Sequence, residues 1–238
     1  AAKLISDTSF SGKTLFVNSG TEANEAAIKL ARKRGLSISK KKYNIITFEN
    51  SFHGRTLGSM SATAQKKIKK GFGPLVPGFT HLPYNDTQKL EEEVKKNHER
   101  ICAIMLELIQ GEGGIIVASR DFVKKITSLA KKYNLLVIID EVQTGIARTG
   151  KMYAYQHYSM TPDILTLAKG LGSGIPVGAM HTKDKLVDIL PGGAHGTTFG
   201  GNHLACTAVS ATLKELQKKS VQNNLSRVSR YIYSYLED

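Results

Sequence analysis

Leu135-Leu136-Val137-Ile138-Ile139-Asp140-Glu141-Val142-Gln143-Thr144-Gly145 decides how the rest of the chain is read. An unbroken apolar run rich in β-branched residues reads as a strand buried on both faces, the kind found inside parallel sheets. The run closes on two acids, Asp140 and Glu141, and then on a Thr-Gly turn. Farther along, Leu165-Thr166-Leu167-Ala168-Lys169-Gly170 follows the same plan, an apolar run closing on a lysine.

Outward from these two runs, strand and helix patterns alternate. Residues 14–17 read as a short strand ending at Asn18-Ser19-Gly20. Residues 22–34 place Ala23, Ala26, Ala27, Leu30 and Ala31 on one face of an amphipathic helix. Gly35 is placed to end it. Residues 43–48, 101–108, 135–139 and 164–167 read as strands, and 177–180 as a weaker one. Residues 87–97, 121–133 and 203–218 read as helices, the second with Phe122, Ile126, Leu129 and Ala130 on one side. This order implies an α/β fold with a mostly parallel sheet covered by helices on both faces. Glycine-rich stretches fall between elements, and there is no internal repeat, low-complexity tract or internal domain boundary. In such sheets ligands sit beyond the carboxyl ends of the strands.

Composition narrows the classes. A chain of 238 residues with 41% hydrophobic residues has enough material for a large core. No apolar run reaches the length of a membrane span, and Ala1 to Asp7 lacks a signal-peptide core. Cys102 and Cys206 lie far apart in apolar segments, without metal-ligand spacing, and read as reduced core residues. The formal net charge of +13 raises nucleic-acid binding. Yet the basic runs, Lys40 to Lys42, Lys66 to Lys70, Lys131-Lys132 and Lys218-Lys219, have no interleaved aromatic platform and read as solvated faces. No nucleic-acid or membrane partner is expected.

Asp140 and Lys169 close two strands that can face the same end of one sheet. A carboxylate and an amine so placed suit pyridoxal 5'-phosphate: the amine forms a Schiff base, and the carboxylate keeps the pyridine nitrogen protonated. Each residue alone also reads as a surface charge ending a buried strand. A lysine in this role is expected to be buried beside the ring. Ser19-Gly20-Thr21-Glu22 joins a strand to a helix start, where free N–H groups hold phosphate, or simply cap the helix. In Phe52-His53-Gly54-Arg55-Thr56 the aromatic can stack on a ring and the arginine clamp a carboxylate; a core Phe and a surface Arg are the alternative. Glu107 and Glu112 bracket a turn, where they pair with arginines, orient Gln143 and the cofactor, or are merely solvated. His195-Gly196-Thr197-Thr198-Phe199-Gly200-Gly201-Asn202 sets two hydroxyls before a helix.

Taken together and in order, these motifs resemble the class III pyridoxal-phosphate aminotransferases, of fold type I. Ile109-Gln110-Gly111-Glu112-Gly113-Gly114 and Phe72-Gly73-Pro74-Leu75-Val76-Pro77-Gly78-Phe79 add to the match. The resemblance implies transfer of the terminal amino group of N-acetylornithine, or a close relative, to 2-oxoglutarate in arginine biosynthesis. Ornithine, succinylornithine and 4-aminobutyrate are alternative donors. A mutase or decarboxylase on the same scaffold, or an inactive cofactor-binding fragment, are further alternatives. It assigns Lys169 and Asp140 as catalytic. It places Gly20 and Thr21 at the phosphate, Val142 and Phe52 on the ring faces, and Gln143 at the ring hydroxyl. Thr198 would reach a neighbouring subunit's phosphate, in a homodimer with shared sites. Arg55, Glu112 and Thr197 would serve the substrate, and Glu107 would stand behind the cofactor. The family usually has proline at the positions of Leu108 and His203. The resemblance further implies that residues 1–238 are a pyridoxal-phosphate-binding large domain, without the N-terminal segment and the C-terminal small domain with its second arginine. It implies a cytoplasmic location, or the mitochondrial matrix in a eukaryote.

Overall fold

The doubly buried apolar runs form the centre of a seven-stranded sheet in the computed structural model, which describes residues 1–236. In chain order the elements are α1 (Ala2–Thr8), β1 (Gly12–Val17), α2 (Gly20–Ile38), β2 (Asn44–Phe48), α3 (Leu57–Ala62) and α4 (Lys66–Lys69). Then come β3 (Phe79–Leu82), α5 (Thr87–Asn97), β4 (Ile101–Leu106), the small hairpin β5 (Ile109–Gln110) and β6 (Ile116–Val117), and α6 (Arg120–Tyr133). The chain continues through β7 (Leu136–Asp140), β8 (Ile164–Leu167), β9 (Gly178–Lys183), α7 (His203–Leu216) and α8 (Lys219–Ser234).

Strand order is β1-β9-β8-β7-β4-β2-β3. The pairs from β8 across to β3 are parallel, whereas β9 runs antiparallel to both of its neighbours. β1 therefore points the same way as the parallel strands. The carboxyl ends of β1, β2, β4, β7 and β8 all open onto one edge of the sheet.

Side chains alternate across the sheet and divide the core in two. Ile45, Ala103, Met105, Leu136, Ile138 and Ile164 pack with Ala26, Ala27, Leu30 and Ala31 of α2. Ile46, Phe48, Ile104, Leu106, Val137, Ile139 and Leu165 pack on the opposite face with residues of α5, α6 and α7, including Leu90, Phe122, Ile126 and Val209. Both faces are covered, as the strand runs require. Helix ends are set by short polar side chains. Ser19, Asp86, Ser119 and Asn202 each accept a first-turn N–H, and Asn134 closes α6 with φ 54°.

Gly35 does not end α2. The helix runs on to Ile38, and Gly35 is buried inside it, where any Cβ would overlap the Lys42 carbonyl and the Cys102 side chain. The missing side chain serves a close helix-to-strand approach instead of a stop. Among the basic runs, Lys42 is buried and donates to the His98 carbonyl at 2.7 Å. Cys102 is buried and Cys206 half-buried, both as free thiols. Among the described residues no helix is long and apolar enough to cross a membrane.

Candidate functional site

A cavity of about 500 Å³ opens at the carboxyl edge of the sheet. Its wall takes Gly20 and Thr21 from the start of α2, Phe52 and Arg55 from beyond β2, and Glu107 from beyond β4. Asp140, Val142 and Gln143 come from the end of β7 and Lys169 from beyond β8. Residues scattered over the sequence converge because parallel strands deliver their carboxyl ends to one place.

Asp140 ends β7 and is 3% exposed. Its Oδ2 accepts from Asn24 Nδ2 at 2.8 Å and from His53 Nδ1 at 2.8 Å. Its Oδ1 accepts from the Val142 N–H at 3.1 Å. Thr166 of β8 donates to Asn24 Oδ1 at 2.7 Å, so the amide is fixed from behind. Burial opposes a charge on His53, but the hydrogen bond and charge of Asp140, with Glu107 beyond, outweigh it and raise the imidazole pKa. Glu107 is also buried and accepts from the Phe52 N–H at 3.0 Å. Desolvation pushes its carboxyl up to about 7, with His53 pulling down and Asp140 adding to the rise. Glu141 turns away from the cavity and accepts from the N–H groups of Ala154 and Tyr155 at 2.7 and 2.8 Å. Desolvation likewise pushes it up to about 7.

Lys169 opens a short 3-10 turn (Lys169–Gly172) directly beyond β8, with φ 44°. Its side chain is exposed. β8 ends at Leu167, and the left-handed backbone at Lys169 puts the residue on the open wall of the cavity.

At the mouth, Gly20 has no room for a side chain: a Cβ would stand 2.8 Å from both γ-carbons of Val142. In the first turn of α2 the Glu22 N–H is taken by Ser19 Oγ at 3.3 Å, while the N–H groups of Gly20 and Thr21 lack intrahelical acceptors and can donate to an anion. Thr21 Oγ1 lies 3.0 Å from Thr56 Oγ1, which donates to Glu25 Oε1 at 2.5 Å. Thr56 thereby spends its proton on Glu25, and the Thr21 hydroxyl donates to Thr56. The backbone of Gly20 and Thr21 remains as the better anion donor. Gly54, at φ 137°, permits this contact, since a Cβ there would overlap Thr21 Oγ1. Arg55 is exposed, with its guanidinium carbon 5.7 Å from the centre of the Phe52 ring.

Three of the expected site residues lie outside the cavity wall. Glu112 is exposed and accepts from Gln143 Nε2 at 3.2 Å. Thr197 accepts from Asn18 Nδ2 at 3.0 Å, and Asn18 lines the cavity. Thr198 is exposed and not part of the wall. Sequence reading gave no role to Asn24, His53 or Thr166. His53 and Thr166 stand inside quoted stretches without an assigned role, and Asn24 lies one turn into the helix that follows Ser19-Gly20-Thr21-Glu22.

The class-III aminotransferase family model matches residues 1–238, and the chain belongs to that family. The acetylornithine aminotransferase of Caldanaerobacter subterraneus subsp. tengcongensis is 51% identical over 99% of this chain and 59% of its own length. That of Aquifex aeolicus is 50% identical over 92% of this chain and 57% of its own length. The chain thus spans somewhat more than half the length of these relatives. Among solved structures, the ornithine aminotransferase of Toxoplasma gondii ME49 superposes with a TM-score of 0.90 at 34% identity, covering 97% of this chain and 55% of that one. An amine transaminase from an uncultivated Pseudomonas species, in its PLP-bound form, gives 0.88 at 27% identity, covering 97% of this chain and 59% of that one.

Proposed function

We propose that residues 1–238 are the cofactor-binding large domain of a pyridoxal-phosphate aminotransferase. It moves the terminal amino group of N-acetylornithine to 2-oxoglutarate, a step of arginine biosynthesis. The observation that carries this reading is the convergence of Lys169, Asp140 and the α2 N-terminus on one cavity. About half-identical acetylornithine aminotransferases support the choice of donor.

The residues fit the cofactor. The cavity offers a primary amine, apolar surfaces on Phe52 and Val142, a buried carboxylate with a spare acceptor position, and helix N–H groups beside a glycine that admits no side chain. When bound, pyridoxal phosphate supplies an aldehyde that condenses with amines and a ring that draws electrons from the substrate carbon. Lys169 Nζ provides the amine that attaches it. That nitrogen, once free, takes the proton from the substrate carbon and returns it. Asp140 holds the proton on the ring nitrogen, an interaction that strengthens as charge develops. Gly20 and Thr21 bind the phosphate chiefly through backbone N–H groups. Phe52 and Val142 cover the ring and exclude water. Gln143, steadied by Glu112, orients the ring hydroxyl. Arg55 binds a substrate carboxylate through paired donors. Donor and acceptor use this pocket in turn, so one nitrogen enters as amine and leaves on the oxo acid. Thr197 stands near the substrate, and Thr198 completes the phosphate site of a second copy in a homodimer.

The test compares N-acetylornithine, ornithine, succinylornithine and 4-aminobutyrate as donors to 2-oxoglutarate in the complete protein, scored by glutamate formed. The highest kcat/KM is expected for N-acetylornithine, by about 10-fold or more over ornithine. A clear preference for another donor replaces the substrate, and glutamate from none of the four refutes the aminotransferase reading.

A further inference from the structure

Asp140 has an acceptor arrangement that its own strand does not dictate. A carboxylate offers about four lone-pair sites, two on each oxygen. Oδ2 has two donors, Asn24 Nδ2 and His53 Nδ1, each at 2.8 Å, and is full. Oδ1 has the Val142 N–H at 3.1 Å and keeps one site, and Asp140 lines the cavity. The pattern of donors leaves the free acceptor position on Oδ1.

His53 is committed to this task. An ionised carboxylate accepts only, so the bridging proton sits on Nδ1. The residue is 1% exposed, and its Nε2 has no hydrogen-bond partner among the described residues. Its one side-chain hydrogen bond is therefore the one to Asp140. The backbone sets the ring from both sides: its N–H donates to Thr63 Oγ1 at 2.8 Å, and its carbonyl accepts from Asn24 Nδ2 at 2.7 Å. The ionisable groups that face it are Asp140 at the end of β7, Glu107 beyond β4 and His81 on β3. Glu141 is turned toward Ala154 and Tyr155 instead. A buried histidine that served only as filler would not need an unpartnered nitrogen on one side and a carboxylate on the other, since each unsatisfied polar atom lowers stability.

We propose that His53 is a positioning residue for amino-group transfer: its Nδ1–H fills Oδ2 of Asp140, fixes the carboxylate's orientation, and leaves Oδ1 as the acceptor for a protonated ring nitrogen. The inference rests on the pyridoxal-phosphate reading above and adds to it the residue that governs Asp140. Asn24, held by Thr166, acts beside it on the same oxygen.

The experiment loads the complete protein with pyridoxal phosphate isotope-labelled at the ring nitrogen and reads that nitrogen by NMR. His53→Phe keeps a buried ring but removes the donor, His53→Leu removes both, and His53→Asn restores a donor near the Nδ1 position. Wild type is expected to show a protonated ring nitrogen. His53→Phe and His53→Leu are expected to move the signal toward the unprotonated position. They should lower kcat about 10-fold or more, with KM for the donor changed by less than about threefold. His53→Asn is expected to recover most of both. A signal and kcat that stay at wild-type values in either donor-less variant with cofactor bound overturn the role of His53 alone. Wild-type protein that takes up no cofactor removes the underlying reading, and this inference with it.

Discussion

Replacing Asp140 with asparagine tests the cavity at its deepest charged group. Three donors, Asn24 Nδ2, His53 Nδ1 and the Val142 N–H, converge on two carboxylate oxygens. An amide has one oxygen and one NH2, so it cannot accept from all three. With NH2 in place of Oδ1, the Val142 N–H loses its acceptor and the cavity meets a donor. With NH2 in place of Oδ2, both Asn24 and His53 face a donor. The first arrangement is cheaper, and leaving one buried N–H unpaired costs about 1–3 kcal/mol. It also presents a ring nitrogen with the wrong partner and no negative charge. Losing a group aimed at developing charge typically lowers the rate about 100-fold, or about 2.7 kcal/mol. Asp140→Asn is therefore expected to lower the rate of the donor half-reaction at least about 100-fold. The assay is a single-turnover absorbance measurement at saturating cofactor, so that weakened binding does not imitate slow chemistry. A rate within about threefold of wild type refutes the reasoning. A second readout is the His53 titration by NMR: without the Asp140 charge, burial governs, and its pKa falls below the ordinary value.

Glu141→Gln tests the burial effect with a defined sign. Burial raises the folded-state pKa of Glu141 to about 7, above the ordinary carboxyl value of 4.5, so its stabilising contribution is complete below about 4.5 and lost as pH rises through about 7. In cofactor-stripped protein, the difference in denaturation midpoint between wild type and variant is expected to turn against wild type across that window; a constant difference contradicts the shift. Mixing Lys169→Ala subunits with Thr198→Ala subunits is expected to regain activity, because each mixed dimer would hold one intact site. No recovery, with subunit exchange demonstrated, places Thr198 in its own chain's site. Gly20→Ala is expected to weaken cofactor binding about 10-fold, because its Cβ must displace Val142 from a 2.8 Å contact. Unchanged affinity by titration would mean that Val142 does not bear on the cofactor.

The parallel centre of the sheet was legible because β4, β7 and β8 are apolar runs buried on both faces. β3 was not, since Phe79–Leu82 is a half-buried edge strand of mixed polarity. The direction of β9 was not legible either. Its residues show that a strand exists, but only its pairing with β1 and β8 shows that it runs antiparallel. Gly35 carried a local signal for a helix stop, and packing against the Lys42 carbonyl and Cys102 overrode it. In the candidate site, Asp140 and Lys169 could be read because strand ends in a parallel sheet share one edge. His53 could not, because its importance lies in burial and in one hydrogen bond made across the fold to Asp140. The exposure of Lys169 likewise depends on where β8 stops and on a left-handed backbone that no sequence pattern announces.

The central claim is that Lys169 attaches pyridoxal phosphate. Borohydride reduction of the complete, cofactor-loaded protein, followed by peptide mass spectrometry, tests it most directly. The account predicts a pyridoxyl group on Lys169 and loss of the label in Lys169→Ala. A stoichiometric label on Lys151 or Lys183, with Lys169 unmodified, would contradict it.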